Sequence, residues 1–176
     1  ETSFLKAEAA LHWPGEFGGE EGMKSAYEEG IRLSFAEKGV DGAESYMNDD
    51  TKKPVKFISK IQTNHSINPV STLTIKWNEA DNEERKLERI ITQKWIALYP
   101  NGAEAWSEYR RTGYPAQFPA IDDYSNGAVN VKIGPRRIPF PPSERRLNAE
   151  NVEKAVQLLG GPDEAGTPLW WDKKKH

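Results

Sequence analysis

Three histidines, two adjacent aspartate pairs and one glycine–lysine–serine stretch are the residues of this 176-residue chain whose types could support chemistry. His12, His65 and His176 stand far apart, with no pair at helical ligand spacing. The chain has no cysteine, which removes disulfides, thiolate nucleophiles and cysteine-based zinc sites together. No EF-hand-type loop is present either, so the expectation is no metal and no cofactor. Asp49-Asp50 and Asp122-Asp123 supply paired carboxylates. Glycoside hydrolysis needs two carboxyls facing one another across roughly 5–10 Å. Side chains of adjacent residues diverge, so these pairs read as solvated loop charge. A hydrolase using Asp122 or Asp123 is the least supported reading. Gly22-Met23-Lys24-Ser25 lacks the glycine that a phosphate-binding loop places directly before its lysine, and no strand precedes it. No G-x-S-x-G elbow occurs. Asn64-His65-Ser66 fits the glycosylation triplet, which is common by chance.

Aromatic side chains are the remaining chemical signal. Trp13, Tyr46, Trp77, Tyr124, Trp170 and Trp171 fall at loops or element ends. A flat apolar ring with a polar edge can stack on a sugar face while neighbouring groups bond its hydroxyls. Tyr46, Trp77 and Tyr124 are the candidate carbohydrate contacts. The alternative for each aromatic is packing: Trp95, on a helical stripe, reads as core.

The elements that would position these residues are mostly helices. Phe4, Ala7 and Leu11 recur at helical spacing, widened by Leu5 and Ala9, with Thr2 or Ser3 as N-cap. Trp13-Pro14-Gly15 ends this helix and Gly18-Gly19 makes a turn. Met23, Tyr27, Ile31 and Phe35 then predict a second helix, stopping at Lys38-Gly39. Small alanines on the facing sides make the pair a hairpin of the tetratricopeptide kind. One such unit cannot bury its own face, so we expect stacked neighbours to precede it and the chain to be a C-terminal piece. Residues 40–71 carry weak signals, with a short helix around Ala43, Tyr46 and Met47. Leu73, Ile75 and Trp77 alternate as a brief strand. Leu87, Ile90, Ile91, Trp95 and Leu98 predict a helix closed by Tyr99-Pro100. Asn101 with Glu104 opens another, ending at Thr112-Gly113. Val129, Val131 and Ile133 suggest a strand, and Pro135, Pro139, Pro141 and Pro142 forbid regular structure after it. Asn148 caps a last helix bearing Val152, Ala155, Val156 and Leu159, stopped by Gly160-Gly161. Trp170-Trp171 implies a docked tail.

Composition narrows the class. Hydrophobic residues make up 36% and charged residues 29%, with 14 glycines and 12 prolines, which implies much irregular backbone. A net charge of −3 gives no reason to expect nucleic acid. Lys173-Lys174-Lys175 is too short to change that and reads as a solvated tail. No apolar run reaches membrane-spanning length.

An ordered series of motifs is more specific than any of these. Gln93-Lys94-Trp95-Ile96-Ala97-Leu98, Asn101-Gly102, Glu104-Ala105-Trp106 and Arg110-Arg111-Thr112-Gly113-Tyr114-Pro115 closely resemble the C-terminal region of the SusD/RagB family. Arg136-Arg137-Ile138-Pro139-Phe140-Pro141 with Ser143-Glu144, then Asn148 to Ala155, Gly160-Gly161-Pro162-Asp163 and Leu169-Trp170-Trp171-Asp172, follow in the family's order. Phe4 to Leu11 and Ala26 to Ile31 are similar to its late tetratricopeptide helices. Residues 40–71 match least.

The resemblance implies a mainly α fold: a tetratricopeptide-like helix pair over 1–39, and a loop-rich helical region with minor β over 40–176 of the same SusD-like domain, whose preceding part is absent here. It implies a lipoprotein on a Bacteroidetes-type outer membrane, lipid-anchored through an N-terminal cysteine this chain lacks. Such proteins catalyse no reaction. They capture glycans, or sometimes peptides, and act as a lid on a SusC-like TonB-dependent transporter barrel. The implied partners are therefore an oligosaccharide, that transporter and the rest of the polypeptide. Trp95, Trp106, Arg110, Arg111, Tyr114, Arg137, Glu144, Asn148, Trp170, Trp171 and Asp172 belong to the matched motifs and read as architecture. Trp95 and Trp106 would anchor two packed helices, the two arginines would pair with carboxylates such as Glu144, and Trp170 and Trp171 would fasten the tail. No binding residues are carried over from the family. A helical-repeat adaptor for a protein or peptide partner is the competing reading.

Overall fold

In a computed structural model the protein is described at residues 1–172 and 174. Lys173, Lys175 and His176, which include part of the basic tail and the third histidine, lie outside the described residues. Backbone packing divides the chain into two compact units, Glu1–Gln117 and Phe118–His176. The helix at residues 83–97 packs on both opening helices and so belongs to the first unit.

The first unit is built on α1 (Thr2–His12) and α3 (Gly19–Lys38), joined by a one-turn helix α2 (Pro14–Phe17) where the sequence suggested only a turn. Pro14 at the first helical position explains that turn of helix. Ala10 faces Gly22 and Phe4 faces Gly30, so α1 and α3 run antiparallel. The approach is close: a Cβ on Gly30 would stand 2.7 Å from the Phe4 ring. Phe4, Ala7, Ala10, Met23, Ala26, Tyr27 and Ile31 are buried together with Met47, Trp77 and Ile90. Leu5, expected on the apolar face, is exposed, while Glu8 is buried. Neither Thr2 nor Ser3 caps α1, whose N-cap is Glu1. Gly39 ends α3 in the left-handed region, as its position suggested (φ 65°).

Helix α4 (Ala43–Met47) inserts Met47 into this core. The strand expected at Leu73, Ile75 and Trp77 does not form. Among the described residues no second strand lies alongside; Leu73 and Trp77 are buried in an irregular segment held by Tyr27 Oη donating to Ile75 O (2.6 Å) and Lys76 N to Asp49 O (3.0 Å). Among the described residues, the one isolated β-bridge pairs Phe57 with Ile67.

Asn82 caps α5 (Glu83–Ala97) by accepting from Arg85 N (2.9 Å), and Asn101 caps α6 (Gly102–Thr112) by accepting from Glu104 N (3.3 Å). Ile90, Ile91 and Leu98 are buried as the spacing indicates, but Trp95 is 38% exposed. The buried face of α5 also carries Lys86, Glu88, Arg89, Gln93 and Lys94. Each cation on it has a carboxylate: Lys86 Nζ to Glu20 (2.6 Å), Arg89 to Asp81 (2.7 Å) and Lys94 to Glu108 (3.1 Å). Paired charges can occupy an inward face that hydrophobic periodicity assigns to apolar residues alone. That rotation carries Trp95 outward.

The second unit contains α7 (Pro142–Leu147) and α8 (Ala149–Leu159). Prolines were expected to forbid α7, yet extended Pro141 is its N-cap and Pro142 its first residue, the position where proline suits a helix. The strand expected at 129–133 is instead a turn closed by Gly134 N to Asn130 O (2.9 Å). Asn148 precedes α8 without capping it by its side chain; its Nδ2 donates to Glu144 Oε2 (3.1 Å). Of the α8 face only Val152 is buried. The interior of this unit is largely ionic. The side chain of Asp163, 3% exposed, accepts from Arg137, from Arg145 and from Phe140 N, and buried Arg136 donates from Nε to Asp172 (2.7 Å). The tail is thus held by Asp172; Trp170, expected to fasten it, is 82% exposed and Trp171 half-buried.

Candidate functional site

The first unit carries a cavity of about 220 Å³. Its apolar lining comes from Leu73, Ile75 and Ile96, and its uncharged polar lining from Tyr46, Ser71, Thr74, Thr92 and Gln93. Lys52, Lys53 and Pro54 complete it from the loop after α4, and Pro115 and Ala116 from the segment after α6. A second cavity of about 180 Å³, lined by Phe4, Ile31, Ser34 and Phe35, shares Tyr46, Gln93 and Ile96 with the first. Tyr46 Oη donates to Gln93 Oε1 (3.1 Å), so a single tyrosine–glutamine hydrogen bond belongs to both walls. The Tyr46 ring is itself steadied by Phe35, centroids 5.2 Å apart.

The loop that brings Lys52 and Lys53 to the cavity is fixed by Asp49. Its Oδ1 accepts from Thr51 N (2.8 Å), Thr51 Oγ1 (2.8 Å) and Lys52 N (2.9 Å). The backbone N–H groups of Lys52 and Thr51, then the Thr51 hydroxyl, hold the Asp49 carboxyl well below the usual carboxylate range. Asp49 Oδ2 lies 3.2 Å from Lys52 Nζ, and Asp50 pairs with Lys76 (3.5 Å). The first aspartate pair is therefore spent on turn geometry and ion pairing. Asp123 likewise accepts from Ser125 N (2.8 Å) and Oγ (2.5 Å) in a turn, which lowers its pKa.

Of the three aromatic candidates for sugar contact, only Tyr46 lines the cavity. Trp77 is buried, its ring against Tyr27 (5.2 Å) and its Nε1 donating to Glu20 (2.9 Å), so it is core. Tyr124 is 89% exposed and lines neither cavity. The other residues singled out from sequence build the frame. Arg111 pairs with Glu8 and Glu108, and Arg110 lies 3.8 Å over the Trp106 ring. Burial pushes Glu108 up, but Arg111 and Lys94 pull it further down, so its pKa is lowered. Tyr114 donates to Glu84 Oε1 (2.6 Å); burial and that carboxylate push its hydroxyl above the usual range. Sequence reasoning missed Lys52, Lys53, Thr74, Thr92 and Gln93 as lining residues. Lys52 and Lys53 come from a polar loop, Thr74 from the irregular segment before α5, and Thr92 and Gln93 from α5 itself; of these only Gln93 falls in a matched motif, which marks it as architecture and not as a lining residue. Among the described residues no group of three or more histidines, aspartates and glutamates could hold a metal ion, and no helix is long and apolar enough to cross a membrane.

Comparison with known proteins identifies the frame. Residues 1–172 match the model of the SusD-like family, described as Susd and RagB outer membrane lipoprotein. A chitin-binding SusD homologue from Flavobacterium johnsoniae is 44% identical with a TM-score of 0.89, over 98% of this chain and 35% of that one. A SusD homologue from Bacteroides thetaiotaomicron is 40% identical with a TM-score of 0.88, over 99% and 37% respectively. One from Bacteroides uniformis is 42% identical with a TM-score of 0.86, over 98% and 36%. No curated protein sequence matches the chain. It spans about a third of the length of these solved relatives. The mainly helical fold and the match over nearly every residue make the chain a member of the SusD-like family of outer membrane lipoproteins.

Proposed function

We propose that this chain is part of a non-catalytic protein that captures nutrient glycan at the bacterial surface and delivers it to a TonB-dependent transporter barrel. The observation that carries this reading is its kinship, at 44% identity over 98% of its length, with a chitin-binding homologue. The cavity is consistent with it in kind. An apolar lining with a tyrosine ring and several hydroxyl and amide groups is what a sugar, with its apolar face and polar rim, requires. Among the described residues the cavity lining contains no aspartate or glutamate.

The test uses the full-length protein. Calorimetric titration against a panel of neutral and acidic oligosaccharides should give saturable binding to at least one class, and chromatography after long incubation should return the ligand uncut. Recovery of a transporter barrel with the protein from detergent-solubilised outer membrane is the matching expectation for delivery. Shortened products, or silence across the glycan panel, would overturn the reading.

A further inference from the structure

Residues 51–76 contain five lysines, Lys52, Lys53, Lys56, Lys60 and Lys76, and neither aspartate nor glutamate, in a chain of net charge −3. Lys52 and Lys76 meet carboxylates from the preceding Asp49-Asp50 step. Lys53, Lys56 and Lys60 are exposed and form no ion pair among the described residues. Three uncompensated cations within eight residues repel one another, and a bound anion would relieve that repulsion. Two residues of this run, Lys52 and Lys53, line the cavity that holds Tyr46, Thr74, Thr92 and Gln93. At about 220 Å³ it is smaller than the roughly 300–1,000 Å³ of drug-sized pockets, so it suits a single sugar ring of a longer chain.

We infer that this cavity selects acidic glycans: one ring, carrying a carboxylate or sulfate, seats against Tyr46 with its anionic group toward Lys52 and Lys53. The inference rests on the glycan-capture reading and sharpens it. Asp49 does not cancel the site, because one of its oxygens is committed to the turn and the other to Lys52 alone. Lys53 stays available, and Lys56 and Lys60 extend the positive surface along the same loop for the next acidic unit. Thr74, Thr92 and Gln93 offer hydrogen bonds to ring hydroxyls, while Leu73, Ile75 and Ile96 meet the apolar ring face.

The experiment titrates full-length protein with oligogalacturonates and their methyl esters, and with a sulfated oligosaccharide and its desulfated counterpart, at low and physiological salt. At low salt the anionic member of at least one pair should bind about tenfold tighter than its neutral twin, and the preference should shrink as salt rises. Lys52→Ala with Lys53→Ala should cost about tenfold on the anionic ligand and less than about twofold on the neutral one. Lys52→Arg with Lys53→Arg should retain the preference. Whichever pair shows it identifies the anion as carboxylate or sulfate. Equal binding of charged and neutral twins, or an unaffected double alanine variant, overturns the inference while leaving glycan capture standing. Failure to bind any sugar removes the capture reading as well. Val55, Ile58 and Ile61 are exposed between these lysines, a pattern that would also suit an anionic lipid surface. Phosphatidylglycerol vesicles are therefore a further arm. Lysine-dependent vesicle binding, without binding of acidic sugars, would also overturn the inference.

Discussion

Arg111 reaches back across 103 residues to Glu8, with Nη1 2.5 Å from Oε1 and Nη2 2.8 Å from Oε2. This bidentate pair fastens the end of α6 to the middle of α1, and Nη2 also holds Glu108 at 2.6 Å. The paired arginines of the matched motif thus split their work: Arg111 ties helices together and Arg110 covers Trp106. Removing Arg111 leaves Glu8, a buried carboxylate, without its guanidinium. Arg111→Ala should lower stability by about 2 kcal/mol, below the range for a fully buried pair because the guanidinium is partly exposed. Glu8→Gln in the same background should recover part of the loss. Urea unfolding of the four members of the cycle measures this coupling; additive losses would count against it.

Gly30 sets the spacing between α1 and α3. Gly30→Ala would press a methyl group into the Phe4 ring, for a cost of about 1–3 kcal/mol. Phe4→Leu should be destabilising alone yet partly restore Gly30→Ala. A thermal melt of the single and double variants checks the compensation.

The aromatic candidates separate by burial. Trp77→Ala should cost about 3–5 kcal/mol, because it empties a core site and leaves Glu20 without its indole donor. Tyr124→Ala should stay within about 0.5 kcal/mol. Tyr46→Phe removes one hydrogen bond to Gln93 and should cost about 1 kcal/mol. Denaturant midpoints order the three.

Acid should loosen the same frame. The folded pKa of Glu108 is lowered, as is that of Asp163, where burial pushes upward but the Arg137 hydrogen bond, the Phe140 N–H and the nearby arginine charges prevail. A depressed carboxylate contributes stability that is fully present above its unfolded value of about 4 and is lost as pH falls through the folded one. The unfolding midpoint should therefore fall below pH 4. Glu108→Gln should flatten that fall, and an unchanged slope would exclude Glu108 as a contributor.

How much of this was legible in the sequence depended on the kind of force involved. The four-residue recurrence of Met23, Tyr27, Ile31 and Phe35 and the punctuation at Gly39, Asn101 and Gly113 give elements that the structure contains, because apolar spacing and caps act within one helix. The inward turn of Lys86, Arg89 and Lys94 on α5 leaves no local pattern, since each depends on a carboxylate supplied by another segment, and Trp95, which the apolar spacing places in the core, is exposed as a result. Alternation at Leu73, Ile75 and Trp77 suggests a strand, but alternation records which side is buried and cannot supply the neighbouring strand. Of the candidate site only Tyr46 was visible; Gln93, Thr74 and Thr92 reach the cavity through packing that no local pattern records.

The ionic interior of the second unit has a thermodynamic consequence. With Val152 the one buried aliphatic among its described residues, and with Arg136, Arg137 and Asp163 inside, its opening exposes little oily surface. Hydration of newly bared hydrocarbon is what makes the heat capacity of unfolding large, whereas polar exposure reduces it. Residues 118–176 should therefore contribute less than the usual share per residue to the calorimetric baseline step, and their stability curve should be comparatively flat with temperature.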